Sequence, residues 1–490
     1  MALLASCGNS ILLPSTTGKQ SCVQQRSGVN YHTGSGTTES PFLICSVTDF
    51  TNLISNSSDH DKNFKLGQNL NLTDVNISPI GSYDWNNSSA APFRGVFDGN
   101  GKTLSNLKVD TSSTDYSAAL FGATNGATIK NLSITNAQIT TTSYGAILIG
   151  NATNTDLSNI SISGSVSCAT GSGVRCAGAV ANTLIDDELV TMTDLTVDST
   201  VTGHDLIGGV FGYYELNGAS GVISSIEHNG SVTATPGAGN TFGGVISYLK
   251  MTNSGNINIR DIDSSSTTSL VNKGSFSGNF FGTIVAVDSS PSEIRVSNCH
   301  GSGNLTTPAN FNAGFIGGFA GIINATSPAS LVIEKSSYVG NVTISPGGTN
   351  RRYIGLFAGH VTGGVTIENS FTKGNLDIQS SGGRDTGLFI GSVTNGVIVS
   401  NNYVSGTLSG VSLGANIGGF VGSDAGGIYQ TNYWDSTHYI TNSNGIGSTS
   451  TPSNVEAKTN SQLKQSATFS SWDFDEVWQI NENISLPVLR

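Results

Sequence analysis

Side chains that could perform chemistry are scattered in this chain of 490 residues, which carries seven histidines and six cysteines. Cleavage of an acidic polysaccharide needs clustered carboxylates, often with a bound cation and a basic residue on the same face. The tight acidic run is Asp186-Asp187-Glu188, and the basic pair is Arg351-Arg352. No Cys-x-x-Cys spacing occurs, which argues against a zinc site. The residue types therefore predict no catalytic constellation, no metal site and no cofactor.

The first cysteine follows a short motif near the N-terminus. Leu4-Ala5-Ser6-Cys7 resembles a bacterial lipobox, in which the cysteine thiol is lipidated. A full signal peptide would also have a basic start and a longer apolar stretch, and both are missing here. We expect Cys7 to be a lipid anchor, followed by a polar Gly/Ser/Thr-rich tether. The alternative is a disordered tail with a free thiol.

The other cysteines suggest disulfide bonds. Cys168 and Cys176 flank a short glycine-containing segment, and we expect them to pair in an oxidising envelope compartment. Cys22 and Cys45 could tie the tether to the first folded segment. Cys299 is predicted to be a buried free thiol, although the pairing of these last three cysteines stays open.

A short glycine motif recurs along the chain and organises it. It reads Gly-Leu-Phe-Ala-Gly at Gly355 to Gly359 and Gly-Leu-Phe-Ile-Gly at Gly387 to Gly391. About ten copies, some of them weaker, lie between Gly122 and Gly422 at a spacing of roughly 33 residues, which is typical of a solenoid. Apolar and polar residues alternate in short runs between the copies, so each repeat is expected to form three strands of a three-sided coil. We predict an all-β, right-handed parallel β-helix of about ten coils.

A polar residue recurs after the second strand of these repeats. The positions are Asn131, Asn159, Asn298, Asn369 and Asn401, with Asp194 and Asp261 at the equivalent place. Asparagine tolerates the left-handed turn conformation, and stacked amides can form hydrogen bonds along a rod. These residues are therefore predicted to be a structural ladder that stabilises the turns. A ladder of ligand-binding groups is the alternative.

The ends of the repeat array differ in composition from its middle. Ser46 is a candidate N-cap for a helix that carries Val47, Phe50 and Leu53 at helical spacing. Trp472 and Trp478 bring large aromatic groups together near the C-terminus, which favours a buried cap over a sugar-binding platform. The predicted organisation is a tether at 1–40, an N-terminal cap at 41–92, the β-helix at 93–437 and a C-terminal cap at 438–490.

Charge and hydropathy exclude some partners. The net charge is −12 and only 11% of the residues are charged. Because the chain has no run of Lys and Arg, nucleic acids and anionic membrane surfaces are not expected partners. No stretch is long and apolar enough for a spanning helix, so a membrane would be contacted only through the lipid anchor.

These motifs resemble a known family. The Gly-Leu-Phe-x-Gly copies, the lead-in from Phe97 to Leu107 and the ending from Trp472 to Leu489 are similar to the GLUG-motif repeat proteins of bacterial cell surfaces. The resemblance covers roughly residues 41–490. It implies a parallel β-helix on secreted or surface-anchored bacterial proteins, often adhesin-like. It brings no catalytic residues with it.

The expected function is therefore binding or spacing at a bacterial envelope, without enzymatic activity. Glycans, extracellular matrix or other cell-surface components are the expected partners. A polysaccharide lyase or glycoside hydrolase is the first alternative, but the acidic run and the basic pair lie about five repeats apart, or roughly 25 Å along the rod. Ice or crystal-surface binding is the second alternative. It needs flat ranks of threonine, and threonine does not recur at one repeat position.

Overall fold

The structure is a computed structural model. It describes residues 22, 30–75, 77–82, 91–111, 117–169, 171, 173–235, 241–270, 276–287, 291–309, 314–346, 351–379, 383–410, 416–437, 444–448 and 454–490. Cys7, and with it the expected lipid anchor, lies outside these residues.

Parallel strands stack into a solenoid of about nine turns, close to the ten coils predicted. The all-β prediction is confirmed. Parallel strands of the described residues form a 25-stranded sheet, a ten-stranded sheet and an eight-stranded sheet. We call the first of these the long sheet.

The eight-stranded and ten-stranded sheets each take one strand from a coil, whereas the long sheet takes up to three. The eight-stranded sheet contains Arg175–Ala177, Leu206–Gly208, Thr241–Gly243, Phe276–Gly278, Phe315–Gly317, Arg351–Gly355, Gly383–Gly387 and Asn416–Gly418. The ten-stranded sheet contains Phe121–Asn125, Ile149–Thr153, Val180–Asp186, Phe211–Asn217, Ile246–Thr252, Phe281–Val287, Ala320–Thr326, Ala358–Gly363, Ile390–Thr394 and Val421–Ala425.

The long sheet begins before the repeats and ends after them. Its strands are Phe42–Ile44, Phe64–Leu66, Leu70–Asn71, Val96–Ser105, Lys108–Thr111, Thr128–Thr141, Asp156–Cys168, Leu189–Gly203, Ser220–Ala234, Asn256–Ser264, Thr267–Ser269, Glu293–Ser302, Leu305–Thr307, Ser330–Glu334, Ser337–Val339, Val342–Ile344, Val365–Glu368, Phe371–Lys373, Leu376–Ile378, Ile398–Ser400, Tyr403–Ser405, Leu408–Gly410, Ile428–Gln430, Asn432–Asp435 and Val455–Lys458.

Short elements lie outside these three sheets. Trp478–Gln479 pairs antiparallel with Val488–Leu489. The described residues contain one α-helix, Val47–Ser55, and 3₁₀ turns at Ser57–Asp59, Gln462–Lys464 and Ser466–Phe469. Among the described residues, no helix combines the length and apolarity needed to cross a bilayer.

The glycine motif forms the corner where the chain leaves the eight-stranded sheet and enters the ten-stranded sheet. At Gly355, the first glycine of one copy, an added Cβ would lie 2.4 Å from the carbonyl oxygen of Ala358. At Gly387, the first glycine of the next copy, it would lie 2.1 Å from the carbonyl oxygen of Ile390. No real side chain tolerates such a contact with backbone. The first glycine is therefore required by the tightness of the corner.

The last glycine of the motif lets neighbouring coils approach. A Cβ on Gly391 would lie 2.6 Å from the carbonyl oxygen of Gly359, the equivalent residue of the preceding coil. The same distance separates a Cβ on Gly422 from the carbonyl oxygen of Gly391. The two motif glycines therefore have different roles, one within a coil and one between coils.

The residues between these glycines fill the core. Phe121, Phe357, Phe389 and Phe420 are all fully buried, as predicted. The rings of Phe357 and Phe389, and those of Phe389 and Phe420, stack with centroids 4.8 Å apart. This distance matches the spacing of neighbouring parallel strands, about 4.8 Å, so each coil adds one ring to a continuous column.

The sequence pattern predicted that the parallel stack begins at residue 93, but in the structure it begins at Phe42. Phe42–Ile44 pairs in parallel with Phe64–Leu66, which pairs with Val96–Ser105. Strands of the predicted N-terminal cap therefore form the first coils. The predicted helix is present, and Ser46 caps it, because its hydroxyl accepts a hydrogen bond from the backbone N–H of Asp49.

Coils near the C-terminus contain more strands than the three predicted. In the long sheet, Val365–Glu368 and Phe371–Lys373 are separate strands on either side of Asn369. Earlier in the chain, Leu189–Gly203 continues unbroken through the equivalent Asp194. A residue with a left-handed backbone conformation at this repeat position therefore lies within a continuous strand in some coils and separates two strands in others.

Candidate functional site

The residues of the predicted asparagine ladder lie at the same turn of their respective coils. The five asparagines all have left-handed backbone conformations, with φ of 54° at Asn131, 54° at Asn159, 52° at Asn298, 48° at Asn369 and 55° at Asn401. Asp194 and Asp261 have φ of 57° and 56°. The positions match the predicted turn, where asparagine and aspartate are favoured because they tolerate this conformation.

The side chains of this ladder do not form one continuous row. Strand pairing places Ser225 between Asp194 and Asp261, and Lys335 between Asn298 and Asn369. Ser225 and Lys335 also have positive φ, at 55° and 47°. The sequence pattern missed them because neither is Asn or Asp. What the column shares is its backbone conformation, which supports the structural interpretation over a ligand-binding row.

A second column is formed by the buried polar residues that directly follow the turn residues in the sequence. The Ser336 hydroxyl accepts from the N–H of Cys299 at 3.3 Å, and the Ser370 hydroxyl accepts from the N–H of Ser336 at 3.2 Å. Oδ1 of Asn402 accepts from the N–H of Ser370 at 2.9 Å, and Oδ1 of Asn432 accepts from that of Asn402 at 3.1 Å. These buried side chains satisfy backbone N–H groups next to the turn. The sequence pattern did not reveal this column because its residue type changes from coil to coil.

A groove on the outer face of the long sheet is the candidate functional site. Its base is formed by Glu227, Asp263, His300 and Ser337, which are strand partners on four consecutive coils. Its volume is about 290 Å³. We call it the lateral groove. The side chains next to this base are Asn229, Ser265, Ser302 and Val339.

A chain of hydrogen bonds positions the imidazole of the lateral groove. Nε2 of His300 lies 3.0 Å from Oδ1 of Asn298, and Nδ1 lies 2.9 Å from the hydroxyl of Ser337. Nδ2 of Asn298 donates to Oδ1 of Asp261 at 2.7 Å, which assigns Oδ1 of Asn298 as an acceptor. Neutral His300 therefore carries its proton on Nε2, and its Nδ1 accepts from Ser337.

Burial keeps both histidines near the lateral groove neutral. Burial lowers the pKa of His300, although Asp263 and Asp261 act in the opposite direction. His228 is buried beneath the groove, and burial lowers its pKa to about 4. Its Nδ1 lies 3.1 Å from the Ser264 hydroxyl. Imidazole that is neutral near neutral pH therefore lies beside the carboxyl groups of Glu227 and Asp263.

The carboxylates of the lateral groove suit binding better than catalysis. Glu227 and Asp263 are neighbours on adjacent strands, and both are exposed. A glycosidase acid needs an apolar environment that keeps one carboxyl protonated. Exposed carboxylates instead accept hydrogen bonds from ligand hydroxyl groups. The geometry favours a polar, hydroxyl-rich ligand.

The C-terminal segment covers the continuation of this outer column. The strand partners that follow Ser337 are Phe371, Tyr403 and Tyr433, and they pack against Phe469, Trp472 and Trp478. Trp478 is fully buried and Trp472 is 6% exposed. The tryptophans therefore belong to a cap and not to an open sugar platform. The cap lies against the side of the rod, next to the lateral groove.

Lys373 is enclosed where the cap meets the rod. Its Nζ lies 4.8 Å from the ring centre of Phe371 and donates to the carbonyl oxygen of Pro487 at 3.4 Å. The hydroxyl of Tyr403 donates to the same carbonyl oxygen. Burial lowers the pKa of Lys373 to about 8. A charged ammonium is therefore unfavourable at this interface.

The enclosed Lys373 should make stability depend on pH. Because its pKa is lower in the folded chain, about 8 against an ordinary 10.5, the folded state binds fewer protons between these values. The free energy of unfolding should thus rise with pH across this window. Lys373→Met should remove the dependence and raise stability at pH 7.5 by about 1 kcal/mol, after allowance for solvent screening.

Urea unfolding of both proteins at pH 7.5 and pH 9.5 would measure this effect. Lys108→Met is the matched control, because Lys108 is exposed on the same sheet. An equal pH dependence in the wild type and in Lys373→Met would contradict the prediction.

The described cysteines form two disulfides. Cys168 is bonded to Cys176, the pair expected from their spacing, and Cys22 is bonded to Cys45. Cys299 is a buried free thiol, and burial raises its pKa. These bonds connect neighbouring segments of the rod. Neither disulfide lines the lateral groove, and the Cys299 thiol does not line it either.

No family model matches the chain. A segment of 102 residues, 20% of this chain, is 33% identical to part of halomucin from Haloquadratum walsbyi, of which it spans 1%. A crystal structure from Bacteroides ovatus, provisionally named an immunoglobulin A1 protease, aligns with 94% of this chain and 96% of its own, at 15% identity and a TM-score of 0.31. These similarities do not assign a family, and the β-helix fold itself fits a surface-type protein.

Proposed function

We propose that this chain is a non-enzymatic, surface-displayed β-helix that acts as an adhesin-like binding or spacing protein of a bacterial envelope. The resemblance to GLUG-motif repeat proteins supports this proposal. The observation that carries it is the lateral groove, where four coils present Glu227, Asp263, His300 and Ser337 in register. The stacked backbone holds these groups in place before any ligand arrives, which lowers the entropic cost of binding.

Glycans are the partners that fit the lateral groove best. Carboxylates and the carbonyl groups of amides accept hydrogen bonds from sugar hydroxyl groups, while serine and asparagine can also donate them. The exposed Val339, with 44% of its surface accessible, adds an apolar contact at the same site. A small number of convergent polar groups around an apolar contact is typical of ligand sites. We therefore propose neutral, hydroxyl-rich glycans as the ligands of the groove.

A glycan array probed with the purified rod tests this function. The variant Glu227→Gln/Asp263→Asn should lose most of the binding, about tenfold or more, because each amide keeps only one acceptor oxygen and loses the charge that strengthens hydrogen bonds from ligand hydroxyl groups. Asp110→Asn/Glu188→Gln is the matched control, since it removes two exposed carboxylates elsewhere. Equal binding by the wild type and the groove variant, or no binding to any glycan, would contradict the proposal.

Hydrolysis is a second candidate, and one observation favours it. The chain from Ser337 through His300 to Asn298 has the order of a nucleophile, a base and an orienting group. However, Ser337 is only 5% exposed. Labelling of Ser337 by a fluorophosphonate probe, lost in His300→Gln but retained in Ser302→Ala, would favour hydrolysis over simple binding.

A further inference from the structure

A second cavity lies at the N-terminal coils of the rod. It has a volume of about 840 Å³ and separates residues 38–41 from the outer face of the first long-sheet strands. Lys65 and Lys130 are the strand partners on either side of Asp98, and Lys102 lies further along the same strand as Asp98. The cavity therefore gathers three ammonium groups from three consecutive coils. We call it the lysine cavity.

The lining of the lysine cavity contains two acidic residues, Glu39 and Asp98, beside the three lysines. Lys65, Lys102 and Lys130 are half-buried, and among the described residues the ion pairs within 4.0 Å involve other cations. The carboxylate of Asp98 accepts hydrogen bonds from the N–H of Asn100 at 2.8 Å and from Nδ2 of Asn131 at 3.0 Å. Three lysines therefore face two acidic residues, a formal excess of one positive charge (3 − 2), in a chain whose net charge is −12.

The walls of the lysine cavity are held in place by covalent and close contacts. The disulfide between Cys22 and Cys45 fixes one wall. A Cβ on Gly67 would lie 2.3 Å from Sγ of Cys22 and 2.9 Å from Sγ of Cys45, so only glycine lets the disulfide pack here. Nδ2 of Asn100 donates to the carbonyl oxygen of Leu66 at 3.0 Å and joins neighbouring coils. The cavity is therefore shaped before a ligand binds.

We propose that the lysine cavity binds an acidic saccharide that carries carboxylate or sulfate groups. Ammonium groups recognise such anions as point charges. Thr38, Asn63 and Asn100 in the lining can form hydrogen bonds with sugar hydroxyl groups. The volume of about 840 Å³ is within the range of small-ligand sites and accommodates a short oligosaccharide. The inference rests on the proposed glycan-binding function but uses a separate site.

The shape and the overall charge favour a saccharide over other anions. A flat bilayer surface does not enter a concave site, although the phosphate of a single lipid headgroup could enter it. A nucleic acid strand extends beyond a cavity of this size, so the rest of the rod, with a net charge of −12, would repel it. The anion is therefore expected to be small and attached to a hydroxyl-rich chain.

Isothermal titration of the full chain with a heparin hexasaccharide and with trigalacturonate tests the proposal, with maltohexaose as the neutral probe. The wild type should bind both acidic probes, more weakly at high salt. The variant Lys65→Gln/Lys102→Gln/Lys130→Gln should lose about tenfold or more in affinity. The control Lys108→Gln/Lys335→Gln/Lys464→Gln should bind as the wild type does, and Lys→Arg at the three cavity positions should retain binding.

Several results would overturn this inference. Equal loss in the cavity variant and in the control would show that binding follows net charge and not the site. Binding of phosphatidylserine vesicles that depends on the three lysines, without binding of either acidic saccharide, would favour a lipid headgroup. Loss of acidic-saccharide binding in Glu227→Gln/Asp263→Asn but not in the cavity variant would move the site to the lateral groove. Glycan binding at the groove with no acidic-saccharide binding would reject this inference and leave the proposed function intact.

Discussion

Phe389→Ala is expected to lower the free energy of unfolding by about 3–5 kcal/mol, as large-to-small changes in cores do. The ring is fully buried and stacks with Phe357 on one side and Phe420 on the other. Its removal leaves a cavity between two rings that cannot collapse together, because the backbone spacing of the coils fixes their distance. The loss therefore includes contacts with both neighbouring coils.

Urea unfolding monitored by circular dichroism measures this loss. Leu189→Ala is the matched control, because Leu189 is also a large apolar residue of the rod but is 65% exposed. It should change the free energy of unfolding by less than about 0.5 kcal/mol. A change below about 1 kcal/mol in Phe389→Ala would show that the ring column contributes little to stability.

Gly387→Ala is expected to destabilise the rod by about 3 kcal/mol or to prevent folding, the upper end of overpacking effects. The added Cβ would lie 2.1 Å from the carbonyl oxygen of Ile390 and 2.6 Å from that of Phe420. Both atoms belong to backbone that also pairs with neighbouring coils. Relief of the clash would therefore require the corner to open and the pairing on that side to shift.

Gly221→Ala provides the control for this glycine. Its added Cβ would meet the ends of flexible side chains, 3.3 Å from Leu216 and 3.5 Å from Ile257. It should therefore be tolerated, with a change of roughly 1 kcal/mol or less. The thermal midpoints of both variants measure the difference. Similar midpoints for Gly387→Ala and the wild type would mean that the corner is more adaptable than its packing indicates.

The corner and the core could be predicted from the sequence because their causes are local. The same glycine motif makes the same turn wherever it occurs, so Gly355 and Gly387 predicted equivalent corners. The phenylalanine of each copy must face inward once the corner is formed. Asn298 and Asn369 marked the turns for a similar reason, since their side chains favour the left-handed backbone that each turn requires.

Some assignments failed because several residue types satisfy the same local requirement. Ser225 and Lys335 adopt the left-handed turn without a sequence signature. The N-terminal strands were expected to form a cap, although Phe64–Leu66 pairs in register with the repeats. A strand that lacks the repeat motif can still complete a parallel stack, because the pairing is made by backbone groups.

The candidate sites could be identified only from the tertiary structure. His300 and Ser337 are 37 residues apart in the sequence and form a hydrogen bond. Lys65 and Lys130 lie on strands that pair with opposite sides of the strand that carries Asp98. Such neighbours depend on the register between coils, which changes with every loop of different length. The repeated residues thus specify a stack of coils, because each copy buries the same groups in the same way. The outward residues vary from copy to copy, so only the assembled register decides which of them meet in a groove, a cavity or a cap.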